Sequence, residues 1–568
     1  MLGIRKIGVF ERTYRHLNRY RQILAVLFKH GFGGLIEQLN IDEYVEIGLR
    51  MMSEEWGGER GKHPHHTRAR RVRMALEELG PTYVKLGQIL STRSDLIPPD
   101  YIRELTDLQD NVQPFPCTEV KKIIAEELSK PPQDLFEYFE EHPIASASIG
   151  QVHRAKLKGG EDVAVKIQRP GIQRIIEVDL EIMLHLATLM ERHIEDMAFH
   201  QPVRVVEEFT RVIEKEIDYT IEASNMERFS RQCFGDPTIY VPKVFRELTT
   251  DRVLTMEFIL AIKVSEIKKL ENARLDRKKI TVRGAKLLLK QIFDDGFFHA
   301  DPHPGNIHVL PGNVICLLDF GMMGSIDRQT REDFVDLIFS AVEQDEVKAS
   351  RVLLHLTTWE YEPDLRHLEK DVADFMGQHL HKSLKDIQIG KVIQQMFELV
   401  SRHRMRIPPD IFLMLKALST IEGVALRLDP DFDMIAQAAP FIRRIKLSRY
   451  YPRRLAEDMF SISEDLLHFV KLFPKDMIEI ARLIKSKKLS LKFEHHGLER
   501  MIATHDQISN KLSFAIIIAA LIIGSSIIVN SEIPPLVYGI SLIGIVVFIA
   551  AAIMGIWLLV AILKRGDF

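Results

Sequence analysis

Cysteine is scarce in this chain, and the three present, Cys117, Cys233 and Cys316, stand alone. No CxxC pair occurs, which argues against a disulfide framework or a structural zinc site and fits a reducing compartment. Charge of one sign is lacking too: 76 Lys and Arg face 79 Asp and Glu, a formal net charge of −3 over 568 residues. A nucleic-acid partner is therefore not expected. No internal repeat or low-complexity tract is evident. The opening stretch, MLGIRKIGVFERTYRHLNRYRQILAVLFKHGF, has no long apolar core and no small-residue cleavage site, and Glu11 comes early. It reads as neither a secretory signal nor a transit peptide. The expectation is a basic amphipathic helix, either resting on a membrane surface or simply solvated.

What is present is concentrated in His299-Ala-Asp301-Pro-His303-Pro-Gly305-Asn306, an apolar strand pair, and then Asp319-Phe320-Gly321. Oxygen ligands at the ends of a short hairpin, Asn306 and Asp319, suit a Mg²⁺ ion bridging nucleotide phosphates. Asp301, just upstream, can orient or deprotonate the attacking group. This is the H-x-D-x-x-x-x-N and D-F-G arrangement of a protein-kinase-like phosphotransfer site.

Upstream, residues 149–157 and 162–168 read as strands around a Lys158-Gly159-Gly160 turn. The second carries Val-Ala-Val-Lys166, the setting in which a kinase lysine reaches the α- and β-phosphates of ATP. The loop before the hairpin, Ala145-Ser146-Ala147-Ser148, lacks the G-x-G-x-x-G glycines. Small side chains still allow close backbone approach but forbid some glycine conformations, so a stiffer phosphate loop is predicted. For the carboxylate partner of Lys166, Glu222 is selected: Asp218 and Glu222 lie four apart on one helix face, while Glu216 points elsewhere. Lys85-Leu86-Gly87-Gln88 interrupts an apolar helical run. Lys85 and Gln88 share a face, and a glycine between them weakens the helix unless something packs closely there.

Jointly, KxGQ (Lys85, Gly87, Gln88), the alanine-rich loop before SIGQVH, VAVKIQ, ExD (Glu216, Asp218), HADPHPGN and DFG resemble the UbiB family of atypical kinases. The motifs run from about Arg70 to Ser325, and with the C-terminal apolar pair the resemblance covers almost the whole chain. It implies an α+β, bilobal protein-kinase-like fold in which the KxGQ segment folds over the nucleotide site. It also implies ATPase activity with little or no protein phosphorylation, and a link to coenzyme Q biosynthesis. By position, Lys166 would be the nucleotide lysine and Glu222 its partner. Asp301 would be the catalytic acid, and Asn306 and Asp319 the Mg²⁺ ligands. Lys85, Gln88, Glu216 and Asp218 would cluster near the phosphates, beside the loop Ala145, Ser146, Ala147, Ser148. Ser146 departs from the alanine of many relatives, which bears on nucleotide preference. Ordinary kinases differ in having arginine where Ala300 stands and a phosphate-steadying lysine where His303 stands; no A-P-E follows Gly321.

The expected organisation is an N-terminal amphipathic segment (1–66), a KxGQ helical extension (67–142), a kinase-like N-lobe with inserted helices (143–262), a C-lobe with basic membrane-proximal helices (263–500) and a transmembrane helical hairpin (511–564). Helices are read over Arg68–Gly80, Pro81–Ser91, Asp100–Leu108 and Cys117–Leu128, the last with Thr118 as its cap. Strand is confined to about 144–168 and 241–258, and helix dominates from Leu270. Leu512–Val529 and Leu536–Leu563 each reach the ~20 apolar residues of a spanning helix. Lys511, Lys564 and Arg565 flank the pair, placing both ends and the catalytic domain in the cytoplasm of a bacterial-type inner membrane. Arg443, Arg444, Lys446, Arg449, Arg453 and Arg454, then Lys485, Lys487, Lys488 and Lys492, suit anionic lipid or a solvated helix face. His63, His65 and His66 read as an exposed loop. The expected partners are anionic membrane lipids, isoprenoid quinone precursors and other quinone-biosynthesis enzymes.

Two further readings compete. His299, Asp301 and His303, with His308 nearby, hold the two histidines and one carboxylate of a non-haem iron oxygenase acting on a polyprenylphenol. A pseudokinase that binds nucleotide or lipid as a scaffold is the other.

Overall fold

A computed structural model describes residues 9–39, 66–91, 97–108, 113–194, 201–359, 363–380, 389–449, 498–529, 536–537 and 540–564, with a few isolated positions. It divides into two compact units, Met1–Ala456 and Glu457–Phe568.

Counting helices of eight residues or more, the first unit opens with α1 (Val9–Lys29), α2 (Arg68–Leu79), α3 (Pro81–Ser91), α4 (Pro99–Thr106) and α5 (Cys117–Leu128). Pro116 occupies the cap position of α5 and no side chain caps it, so Thr118 is not the cap. A five-stranded antiparallel sheet follows, in the order β1 (Phe136–Phe139), β3 (Gly150–Leu157), β4 (Asp162–Gln168), β6 (Val253–Glu257), with β2 (Ala145–Ser146) paired to β3. The period-two pattern of β4 decides its two faces. Val163, Val165 and Ile167 turn toward Val120, Ile123 and Ile124 of α5, and Ala164 joins the other core with Tyr219 and Leu254. Lys166, next in register with Leu254, belongs to that second face. The strand β1 lies outside the expected strand region: its Phe-Glu-Tyr-Phe run completes the sheet edge on β3.

Between β4 and β6 are α6 (Ile172–His193), α7 (Pro202–Glu216) and α8 (Tyr219–Gln232). Ile23 and Val26 of α1 are buried in a cluster with Leu79 of α2, Ile176 and Met183 of α6 and Phe209 and Ile213 of α7. Arg19 of α1 donates from Nε to the fully buried Asp179 at 2.7 Å. An unpaired carboxylate there would be costly. The described apolar face of α1 is thus docked in protein.

The second lobe starts with α9 (Arg277–Lys290) and a π-helical turn, Gln291–Asp295. Short strands then frame the motif region. β8 (Phe297–His299) pairs with β11 (Met323–Ser325), and β9 (Ile307–Leu310) lies between β7 (Ile262–Lys263) and β10 (Val314–Leu317), which also meets β5 (Ile239–Tyr240) in parallel. The lobe is completed by α10 (Arg328–Glu343), α11 (Glu346–Leu356), α12 (Leu365–Leu380), α13 (Ile389–Arg402), α14 (Pro409–Leu428) and α15 (Met434–Ser448). Of the basic residues expected to meet lipid, Arg444 pairs with Asp294 at 2.9 Å, Lys446 with Glu343 at 3.6 Å and Arg449 with Asp336 at 2.8 Å. Arg453, Arg454, Lys485, Lys487, Lys488, Lys492, His63 and His65 lie outside the described residues.

In the second unit α16 (Leu498–Val529) packs on α17 (Leu542–Lys564), burying Ile518, Ser525 and Ala551. Among the described residues one segment, Leu512–Val529, is long and apolar enough to cross a membrane; the apolar stretch Ile545–Gly555 of α17 is shorter.

Candidate functional site

Lys166 Nζ donates to both carboxylate oxygens of Glu222, at 2.8 and 3.1 Å, and lies 5.1 Å from the centre of the Tyr219 ring. Glu222 belongs to the first turn of α8 and is itself buried. Its Oε1 also accepts the Phe320 amide at 3.3 Å, tying the DFG segment to the lysine. Asn225, one turn on, donates to the Phe320 carbonyl at 3.0 Å. Burial opposes charge on Lys166, but the Glu222 and Asp319 carboxylates outweigh it and hold the ammonium well above its ordinary pKa. Burial alone would also raise the Asp319 carboxyl; Lys166, the Gly321 amide, His299 and Lys85 instead pull it down to about 2. The site therefore holds a cation and an ionised carboxylate side by side.

The chain breaks between α7 and α8, which corrects the expectation of one helix face shared by Asp218 and Glu222. Asp218 is the N-cap of α8: its Oδ1 accepts from the Thr220 amide at 2.9 Å and hydroxyl at 2.6 Å. That is a capping role. Glu216 closes α7 and pairs with Lys85 of α3. Gln88, expected in the same cluster, instead donates to the Leu108 carbonyl at 3.3 Å, stitching α3 to the residue just past α4. Gly87 has a packing reason: a Cβ there would lie 2.3 Å from Leu108 Cδ1 and 2.9 Å from Leu76 Cδ1. Gly150 is required in the same way, because a Cβ would lie 2.5 Å from both the Ile167 carbonyl oxygen and the Tyr219 hydroxyl.

The motif loop is organised by His299. The buried ring accepts the Asp301 amide on Nδ1 at 3.2 Å, so Nε2 carries the proton and donates to the Asp319 carbonyl at 2.7 Å. Burial is the largest influence on its pKa and lowers it from the ordinary imidazole value. The Asn306 Nδ2 donates to the Asp301 carbonyl at 3.3 Å, which aims its Oδ1 away from that bond. Asp301 Oδ1 pairs with Lys416 Nζ of α14 at 3.3 Å. Sequence reasoning missed Lys416, Tyr219 and Asn225. The signal for Lys416 was there: one cation in the apolar run Phe412-Leu-Met-Leu-Lys416-Ala-Leu needs an anion. The iron reading fails on geometry. Both His299 ring nitrogens are engaged, His303 Nδ1 accepts the Gly305 amide at 3.0 Å, and no cluster of three or more metal-ligating side chains occurs among the described residues.

The residues fit nucleotide and Mg²⁺. Ser146 Oγ, a hydroxyl able to donate to a phosphate, is buried without a hydrogen-bond partner among the described residues. Mg²⁺ takes few protein ligands, one or two carboxylates with phosphates completing its shell, which matches Asp319 with Asn306.

Residues 107–353 match the model of the ABC1 atypical kinase-like domain, 372–433 the UbiB helical domain and 496–564 the ABC1/UbiB kinase-like C-terminal domain. A Clostridium pasteurianum protein described as "Uncharacterized protein in hydrogenase 1 5'region" is 33% identical over 552 residues, 96% of this chain and 99% of that one. "Probable protein kinase UbiB" of Pseudomonas fluorescens (strain SBW25) is 36% identical over 417 residues, 73% of this chain and 78% of that one. Among solved structures, the Rv3197–erythromycin complex of Mycobacterium tuberculosis matches with a TM-score of 0.47 and 23% identity, over 70% of this chain and 98% of that one. The chain belongs to the UbiB family of atypical kinases.

Proposed function

We propose that this chain is a membrane-anchored atypical kinase of the ATPase type, which binds Mg-ATP and supports isoprenoid quinone synthesis by ATP-driven handling of a lipid precursor. The observation that carries this reading is the Lys166–Glu222 ion pair at 2.8 Å, tied through the Phe320 amide to the segment that bears Asp319. Lys166, kept cationic, offers a fixed positive charge to the α- and β-phosphates. Asp319 and the Asn306 amide oxygen would hold Mg²⁺, which when bound neutralises phosphate oxygens. Asp301 accepts the proton of the attacking hydroxyl, steadied by Lys416. The loop Ala145–Ser148 covers the phosphates. The Lys85–Glu216 pair holds α3 against this side of the lobe, which favours water or a small acceptor over a peptide.

The second unit supplies the anchor: α16 as one span and α17 as the other, with Lys511, Lys564 and Arg565 keeping both ends cytoplasmic in a bacterial-type inner membrane. The quinone link rests on relatives named UbiB. The test is ATP turnover by the full chain in liposomes, with and without anionic lipid and a phenolic quinone precursor. Mg²⁺-dependent hydrolysis stimulated by these additions is expected. A folded protein that binds nucleotide but never turns it over refutes the reading in favour of a scaffold.

A further inference from the structure

The helical half of the second lobe contains an apolar cavity of about 270 Å³, walled by side chains from α9 to α15, among them Phe334, Ala341, Phe375, Met396, Leu418 and Ile442. No polar atom lines it. Two other gaps in this lobe, one of them between the helices and strands β9 and β10, measure about 10 Å³ each, the scale of ordinary packing imperfection. The large cavity is of another kind. It approaches the roughly 300 Å³ lower bound of small-molecule sites and is nearly twice the roughly 150 Å³ apolar cavity that takes up benzene. Water would find no partner on its walls, and the pocket is partly open to the surface, where exposed Val342 belongs to its lining, so an apolar chain can enter from outside. Met376, Met396 and Met434 in the wall supply thioether chains that reshape around a ligand.

The cavity also has a physical link to the site. On α14, Leu415 and Leu418, one turn apart, line the cavity, while Lys416 between them pairs with Asp301. Whatever fills the cavity therefore bears on the helix that positions the catalytic-loop carboxylate.

We propose that this cavity is a binding site for a hydrocarbon chain, the tail of an isoprenoid or acyl lipid; the proposal rests on the lipid-handling reading above and deepens it. An apolar wall selects only for such a chain, and any polar head must remain outside.

The experiment is photolabelling of the full-length protein in nanodiscs with a benzophenone-bearing farnesyl probe and, separately, a benzophenone-bearing fatty acid, followed by peptide mapping. Labels are expected on α10, α12 and α13 near Ala341, Phe375 and Met396, for one or both probes; the more efficient probe identifies the lipid class. Ala341→Phe and Ala438→Phe, which fill the cavity from α10 and α15, should each lower labelling at least tenfold without lowering the melting temperature. Val347→Phe, at an exposed position that does not line the cavity, should label as the parent does. Labels confined to α16 and α17, or labelling unchanged in both filling variants, overturn the proposal. The readout needs no nucleotide. A protein that labels here yet never hydrolyses ATP refutes only the phosphotransfer reading, and one that hydrolyses ATP without labelling refutes only the cavity.

Discussion

Replacing Lys416 by methionine removes the ammonium 3.3 Å from Asp301 Oδ1 while keeping most of the apolar stem on α14. The two side chains are 19% and 31% exposed, so solvent screens the pair. Its share of folding stability is about 0–1 kcal/mol, which in a lobe of this size moves Tm by no more than a few degrees. The effect on chemistry should be larger. Losing the cation that positions the proton-accepting carboxylate should lower kcat about tenfold, about 1.4 kcal/mol on the barrier. KM for ATP should change little, because Lys166 and Asp319 are the groups proposed to hold the nucleotide. Lys416→Arg keeps the charge and should recover part of the rate. The assay is steady-state ATP turnover in liposomes with a thermal melt in parallel. An unchanged kcat in a folded Lys416→Met protein refutes the role assigned to the pair, and a collapse of the melt would make the pair structural.

Asp319→Asn should abolish Mg²⁺-dependent ATP turnover, since it removes the charge meant to hold the metal; undiminished Mg²⁺-nucleotide affinity and turnover would remove Asp319 from that role. The same carboxylate sets a pH dependence: with its folded pKa lowered from 3.8 to about 2, it stabilises the fold fully above pH 3.8 and loses that contribution as pH falls through about 2. The contribution is roughly 2 kcal/mol, so the difference in unfolding free energy between parent and Asp319→Asn should shift in that window, and a difference flat from pH 5 to 2 would contradict it. Gly87→Ala should destabilise by about 1–3 kcal/mol through overpacking against Leu76 and Leu108, measured by denaturant melts; a neutral result would mean α3 can shift freely. Lys85→Ala withdraws the partner of Glu216 and one cation acting on Asp319, and should permit autophosphorylation detectable by mass spectrometry while the fold persists.

Local sequence determined the parts of this protein whose physics is local. The alternation in 162–168 made β4 and put Lys166 opposite the residues that meet α5. Pro81 began a helix, and the uncharged run 512–529 formed one. The choice of Glu222 as the lysine's partner held, although the helix-face argument behind it did not: α7 ends at Glu216, and Asp218 caps a new helix. A two-residue break between helices leaves little periodic trace, so Glu216 and Glu222 could be sent to different partners only by the packing of α3, α7 and β4. The strands β8 and β11 were hidden for a related reason, being three residues each and held by pairing across the motif loop. Lys416 and Asp301 meet because α14 crosses beneath that loop, and the cavity exists because eight helical segments, α9 to α15 and the π-helical turn, fail to close on one another. Backbone periodicity and residue chemistry are written along the chain, whereas ion pairs, caps and cavities arise where distant elements meet, and only the tertiary structure decides which elements those are.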